Sequence, residues 1–336
     1  MAAHTTGAVR IVIPDDFPPV YQGHPQLERL RTLGQVQVYG TRAASPEELL
    51  ARLEGAQIVL NVRAYSVFDR WLLERLPHLR LISILGTGTD NVDLEAATEL
   101  GVLVCNTPGA STVSVAELTM ALILATARHV ALCDRKMRGG EWYHREGFEL
   151  RGKTLGVLGL GLIGQEVARL GKAFGMRVLA WSFTYDEQRA AECGAQLAEF
   201  HDVLRQADVL SLHLRSSPRT RGIIGRMELQ LMKPGAILVN TARGALVDEA
   251  ALVEALREGR LAGAGLDVFV QEPLPLESPL LRLENVVLTP HIGWVTREAG
   301  ERLARMPVDN IEAYLAGRPQ HVVNPDALAR ARPRPQ

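Results

Sequence analysis

Short runs of β-branched and aliphatic residues alternate with segments whose apolar positions recur every three to four residues, nearly from one end of the chain to the other. The first such runs are VRIVI (9–13), QVQVY (35–39), IVLN (58–61), LRLISIL (79–85) and VLVCN (102–106). Most are close to continuously apolar, as expected of strands covered on both faces in a parallel sheet. Helical segments lie between them. In SPEELLARL (45–53), Ser45 suits the N-cap, Pro46 the first helical position, and Glu48 completes a capping box. A second series follows with TLGVLGL (154–160), RVLAW (177–181), DVLSLHL (208–214), AILVN (236–240), GAGLDVF (263–269) and NVVLT (285–289). Five strands and then six, each series interleaved with helices, predict an α/β protein with two doubly wound parallel-sheet domains.

The chain closes on a helical pattern over residues 297–316, with HVV (321–323) as the one strand candidate after it. A terminal helix with an apolar face needs a surface, and the first sheet is the available host. The second domain is therefore expected to be inserted into the first. Residues 1–108 and 295–336 would form a discontinuous substrate domain, and residues 109–294 a dinucleotide-binding domain. The crossings fall near the helix of residues 112–128 and near Gly293. A length of 336 residues suits two cores.

The dinucleotide assignment comes from GLGLIG, in which Gly159, Gly161 and Gly164 follow an apolar strand and open a helix. The first glycine permits a tight turn, the second lets the backbone approach a pyrophosphate, and the third lets helix pack on strand. Phosphate charge then sits at the helix N-terminus. At the end of the next strand, where a carboxylate would hold the adenosine ribose, stands Ser182. A hydroxyl neither favours a neutral diol by charge nor repels a 2′-phosphate, and no arginine follows at once. NAD or NADP is the expected cofactor, with use of both and modest discrimination. Asp186 reads as the N-cap of the helix DEQRAAE rather than as a ribose ligand.

Composition narrows the partner. With 37 basic against 38 acidic residues there is no overall field to draw nucleic acid or an anionic membrane. The longest apolar helical run, LTMALILATA (118–127), is too short to span a bilayer, and no signal-like start precedes VRIVI. The basic, proline-rich end ARARPRPQ reads as a frayed tail rather than a nucleic-acid arm. Cys105, Cys133 and Cys193 lack the spacing of a disulfide framework or zinc site, so no metal is expected and a reducing, cytoplasmic setting is. A small molecule is the expected partner.

Three loops at strand ends carry the candidate chemistry, since open α/β sheets bind ligands at their carboxyl edge. NTARG places Arg243 after one strand, DVFVQEP places Asp267 inside the end of another and Glu272 beyond it, and TPHIG places His291 after a third. Taken singly, each residue has an ordinary reading as a surface ion pair, a solvated acid or a capping histidine. Together they suit reduction of a 2-oxo acid. Arg243 can pair with its carboxylate and polarise the carbonyl, His291 can pass a proton, and Glu272 can orient the imidazole and favour its charged form. His213 ends a strand of the same sheet, whereas His144 and His201 fall in polar segments. In the first domain, LGTGTDNVD (85–93) sets amides around Thr87 and Gly88 where they can grip a carboxylate, and Arg63 offers a second anion contact.

These segments, with SVAELTMALIL, MKPGAILVNTARGALVDEAAL and LTPHIGW, resemble the D-isomer-specific 2-hydroxyacid dehydrogenases over nearly the whole chain. The resemblance implies a Rossmann domain inserted into a flavodoxin-like substrate domain, and hydride transfer between nicotinamide and a D-2-hydroxy acid or 2-oxo acid in a closing cleft. It implies that Arg243, Glu272 and His291 are catalytic and that Asp267 binds the nicotinamide carboxamide. Leu162, Ile163, Thr241, Ala242 and Gly293 would contact the cofactor, and Thr87 and Gly88 would serve both substrate and nicotinamide. It also implies a homodimer joined through the helix of residues 112–128. Ser182 departs from the family's usual aspartate, and no C-terminal regulatory domain with serine feedback is expected. The alternative is a dinucleotide-binding scaffold, because the family resembles corepressors of the same fold.

Overall fold

The structure is a computed structural model describing residues 8–62 and 65–331. It divides into two compact units, Met1–Ser111 with Arg297–Gln336, and Thr112–Thr296. In the first, β1 (Arg10–Ile13), β2 (Gln35–Val38), β3 (Ile58–Asn61), β4 (Leu81–Ile84) and β5 (Leu103–Cys105) form a parallel sheet in the order β2-β1-β3-β4-β5. That is the flavodoxin-like order. Ser45 caps the helix Pro46–Arg52 as expected, accepting the Glu48 N–H, but the Glu48 carboxylate receives the N–H of Ala44 rather than that of Ser45.

The helix Arg297–Leu315 belongs to this first unit, as its apolar face requires, and buries Leu303, Ala304, Val308, Ile311 and Tyr314. Pro307 interrupts its hydrogen-bond ladder. Side chains from the sheet side meet the carbonyls there, with the Tyr21 hydroxyl donating to Ala304 O at 2.9 Å and the Ser83 hydroxyl to Pro307 O at 3.0 Å. HVV is not a strand. Val322 makes one isolated antiparallel bridge to Cys105, and His321, at φ 55°, turns the chain away.

In the second unit, seven strands replace the expected six: β6 (Thr154–Leu158), β7 (Arg177–Trp181), β8 (Gln196–Leu197), β9 (Val209–Leu212), β10 (Ile237–Asn240), β11 (Gly263–Leu266) and β12 (Val286–Leu288). The additional one, β8, is a two-residue edge strand too short for any periodic signal. All pair in parallel in the order β12-β11-β10-β9-β6-β7-β8, the doubly wound arrangement with β6 at the reversal. Leu158, Leu210, Leu238 and Leu266 join one buried cluster, whereas Val157, Val209, Ile237 and Val239 join another with Ile123, Val167 and Ala168. Successive strand residues therefore face opposite helical layers, which explains why both neighbours in each run are apolar. The helix Thr112–Ala127 is buried within the second cluster, and no single helix among the described residues is long and apolar enough to cross a membrane.

Candidate active site

The parallel pairing sets every loop that follows a strand at the carboxyl edge of the seven-stranded sheet, among them those after β6, β7, β10, β11 and β12. The loop after β6 is the glycine turn. Gly159 has φ +100°, and a Cβ there would lie 2.6 Å from the His213 carbonyl oxygen. A Cβ on Gly164 would lie 2.0 Å from Gly159 O, so only glycine lets the helix approach the turn this closely. Gly161 differs, because its Cβ would meet nothing within 4 Å. It caps the helix Leu162–Ala173 with no side chain over the helix start, and Leu162 on the first turn is exposed. Open space over unengaged helix N–H groups fits a dinucleotide diphosphate. Ser182 follows β7 directly and lies beside this turn, because the Gly159 N–H donates to Trp181 O at 2.8 Å. Asp186 is the helix cap, accepting the Arg189 N–H at 2.9 Å.

The loop after β10 carries Arg243. Asn240, fully buried, accepts the Ala242 N–H at 3.0 Å and donates to Arg243 O at 2.8 Å, which folds NTARG into a braced turn. The half-buried Arg243 side chain donates from Nη1 to Ala242 O at 2.7 Å. A Cβ on Gly244 would come within 2.0 Å of the Phe269 backbone, so this glycine admits the close approach of the β11 loop. Strand β11 ends at Leu266, and Asp267 is the first residue beyond it rather than inside the strand.

The Glu272 carboxylate accepts the Phe269 N–H at 3.0 Å through Oε1 and lies 2.8 Å from His291 Nδ1 through Oε2. Burial acts to raise the pKa of Glu272. The hydrogen bond and charge of His291, the Phe269 N–H and the charge of Arg243 outweigh it and hold the carboxyl below its ordinary range. An ionised carboxylate only accepts, so Nδ1 carries the proton and Nε2 is left to face outward chemistry.

His291 is held at φ 55°, a conformation costing on the order of 1–3 kcal/mol in a non-glycine residue unless its surroundings impose it. Asp267 imposes it. Its buried carboxylate accepts the Thr289 hydroxyl at 2.7 Å and the N–H groups of Ile292 and Gly293, each at 2.8 Å. Thr241 is turned inward. Thr119 donates its hydroxyl to Val115 O at 2.7 Å, so the 2.8 Å contact between the two hydroxyls uses the Thr241 proton. His213 bonds Ser211 Oγ at 2.8 Å, and burial pushes its pKa down to about 3, which leaves it neutral and unsuited to proton transfer near pH 7.

Sequence reasoning missed Asn240 and Thr289, which brace the loops that carry Arg243 and His291. Asparagine two residues before the N–H it binds is an Asx-turn signal that was available. In the first unit, Thr87 and Gly88 follow β4, where Thr107 Oγ1 accepts the Gly86 N–H at 2.8 Å and Asn106 Nδ2 donates to Thr87 O at 2.9 Å. Arg63 lies outside the described residues.

The sequence profile of the NAD binding domain of D-isomer specific 2-hydroxyacid dehydrogenases matches residues 120–293. A glyoxylate reductase of Aeropyrum pernix is 44% identical over 318 residues, spanning 91% of this chain and 95% of that relative. The chain belongs to the D-isomer-specific 2-hydroxyacid dehydrogenase family. A D-3-phosphoglycerate dehydrogenase of Methanocaldococcus jannaschii is 42% identical, matching 94% of this chain but only 59% of its own length. The crystal structure of a glyoxylate reductase from Paecilomyes thermophila aligns with a TM-score of 0.86 at 33% identity, covering 94% of this chain and 98% of that one. This family member is accordingly an NAD(P)-dependent oxidoreductase that transfers a hydride between nicotinamide and a small 2-hydroxy or 2-oxo acid, and the doubly wound two-sheet fold read from the sequence is the one observed.

Proposed function

We propose that the protein reduces short 2-oxo acids, glyoxylate foremost, with Arg243 and His291 acting on the substrate and Glu272 positioning His291. The carrying observation is the 2.8 Å contact between His291 Nδ1 and Glu272 Oε2 on the sheet edge that also bears the glycine turn. Glyoxylate is favoured because a glyoxylate reductase and this chain match over 95% and 91% of their lengths. Bound reduced nicotinamide supplies the hydride for the carbonyl carbon. Arg243 pairs with the substrate carboxylate and draws electron density toward the carbonyl oxygen, which takes its proton from His291 Nε2. The imidazole, left neutral, keeps its Nδ1 proton on Glu272 and recovers the other from water.

The glycine turn with Leu162 and Ile163 holds the diphosphate in this reading, and Ser182 the ribose. The backbones of Thr241, Ala242 and Gly293 line the nicotinamide half. Asp267 Oδ2, which accepts a single N–H, keeps a lone pair for the carboxamide. Assay of a panel of 2-oxo acids with NADH and NADPH tests the reading, and absence of glyoxylate reduction with either overturns it.

Glu272→Gln isolates the charge. The variant keeps a hydrogen-bonding group but removes the counter-ion of the protonated imidazole, so the alkaline limit of kcat/KM for reduction moves to lower pH. Both side chains are more than a third exposed, at 39% and 37%, so solvent screens the effect. An unmoved profile removes Glu272 from this role.

A homodimer is part of the same proposal. Val113, Val130, Met137 and Trp142, all at least half exposed, lie on or just after the helices Thr112–Ala127 and Val130–Arg138 and suit a partner surface. The three free cysteines suit a reducing cytoplasm. A monomeric mass on sedimentation, or recovery outside the cytosolic fraction, contradicts the respective part.

A further inference from the structure

We infer that the protein prefers NADP(H) over NAD(H), and that Arg219, in the loop after β9, selects it by binding the 2′-phosphate opposite Ser182. The inference rests on the dinucleotide site proposed above. Strands β9 and β7 flank β6 in the sheet, so the loops that follow them stand on either side of the glycine turn. They meet across it. The Arg219 guanidinium carbon lies 4.1 Å from the ring centroid of Phe183, the residue next to Ser182.

That contact has a fixed base. Phe183 packs edge-on against Trp181 at 4.7 Å, and Trp181 against Phe200 at 4.9 Å, which ties the ring to the buried cluster beneath. On the other side, buried Thr220 donates its hydroxyl to Arg215 O at 2.7 Å, while the N–H groups of Thr220 and Arg221 close on Ser217 O at 3.0 and 2.9 Å. Arginine resting on an aromatic ring keeps its N–H edge directed outward, and the ordering of its long side chain is already met.

The charges around the site favour a phosphate. Among the described residues Arg219 has no carboxylate within ion-pair distance, although it is exposed. The nearest acid in sequence to Ser182, Asp186, is engaged by the Arg189 N–H at 2.9 Å and the Arg189 guanidinium at 3.2 Å. A ribose diol therefore finds no carboxylate to accept its hydrogen bonds, whereas a 2′-phosphate meets a serine hydroxyl and a cation. No arginine adjacent to Ser182 in sequence was needed, since the sheet supplies one 37 residues later.

Binding, measured without substrate by protein fluorescence quenching, tests the inference. Wild type is expected to bind NADPH roughly tenfold or more tightly than NADH, with salt weakening NADPH the more steeply. Arg219→Ala should weaken NADPH about tenfold and NADH less than about twofold, and Arg219→Lys should restore part of the loss. Ser182→Asp should also weaken NADPH selectively, by placing a negative charge against the phosphate. Equal affinities in wild type, tighter NADH, or equal losses for both cofactors in Arg219→Ala would each overturn the inference while leaving the dinucleotide site standing. If neither cofactor bound wild type, the dinucleotide reading itself would fall.

Discussion

His291→Ala is expected to lower turnover in 2-oxo acid reduction by roughly 10²–10⁴-fold while leaving cofactor affinity nearly unchanged. That range corresponds to about 2.7–5.5 kcal/mol of transition-state stabilisation. The split between the two readouts follows from the loop's construction. Asp267 holds it through the Thr289 hydroxyl and the N–H groups of Ile292 and Gly293, none of which belongs to the imidazole. Alanine at φ 55° carries backbone strain, so His291→Asn is the companion variant, because asparagine tolerates the left-handed region and has no titrating proton. Near-normal turnover in either variant would assign the proton to another group. His213 is an unsuitable substitute, since burial keeps it neutral.

The glycine turn was legible because each glycine answers a separate steric demand. The structure shows those demands as a carbonyl 2.6 Å from a Cβ on Gly159, another 2.0 Å from one on Gly164, and open space at Gly161. Strands buried on both faces announce themselves by apolar runs, and all eleven runs read in the two series carry more apolar residues than others; all eleven became strands, nine of them shortened at their ends. Strand ends are less legible, because the polar residues that close them bond to loops far along the chain. Asp267 shows this, being withdrawn from the predicted strand by groups at positions 289 to 293. Edge strand β8 left no pattern in two residues.

Arg243, Glu272 and His291 could be read as a set because sheet topology converts sequence positions after strands into one rim. What holds them could not. Asn240 braces Arg243 through bonds to the backbone, and Gly244 permits contact with Phe269 that depends on β10 and β11 being neighbours. Thr241 lies on the loop after β10, but its hydroxyl turns to Thr119 on a helix 122 residues away in sequence. Arg219 is the extreme case, because its relation to Ser182 exists only through the order β9-β6-β7.

Arg243→Lys is expected to cost roughly 10²–10³-fold in kcat/KM for 2-oxo acids, about 2.7–4 kcal/mol, despite conserving the charge. The guanidinium offers a planar fork that meets a carboxylate through two parallel hydrogen bonds while a third N–H stays on the protein. In the structure that third bond is present, from Nη1 to Ala242 O at 2.7 Å, and it fixes the plane of the group. Lysine keeps a compact point charge but has no fork, so it cannot hold the carboxylate and the Ala242 carbonyl in the same geometry. The loss should fall on both kcat and KM, because misplacing the carboxylate also misplaces the carbonyl relative to His291. A substrate analogue whose carboxylate is replaced by a neutral amide separates this from general damage. The wild-type enzyme should use it poorly, and Arg243→Lys should reduce that residual rate far less than it reduces the rate with the acid. Equal fractional losses on both substrates would mean that Arg243 supports the loop rather than the substrate, and its charge beside Glu272 would then be its main contribution.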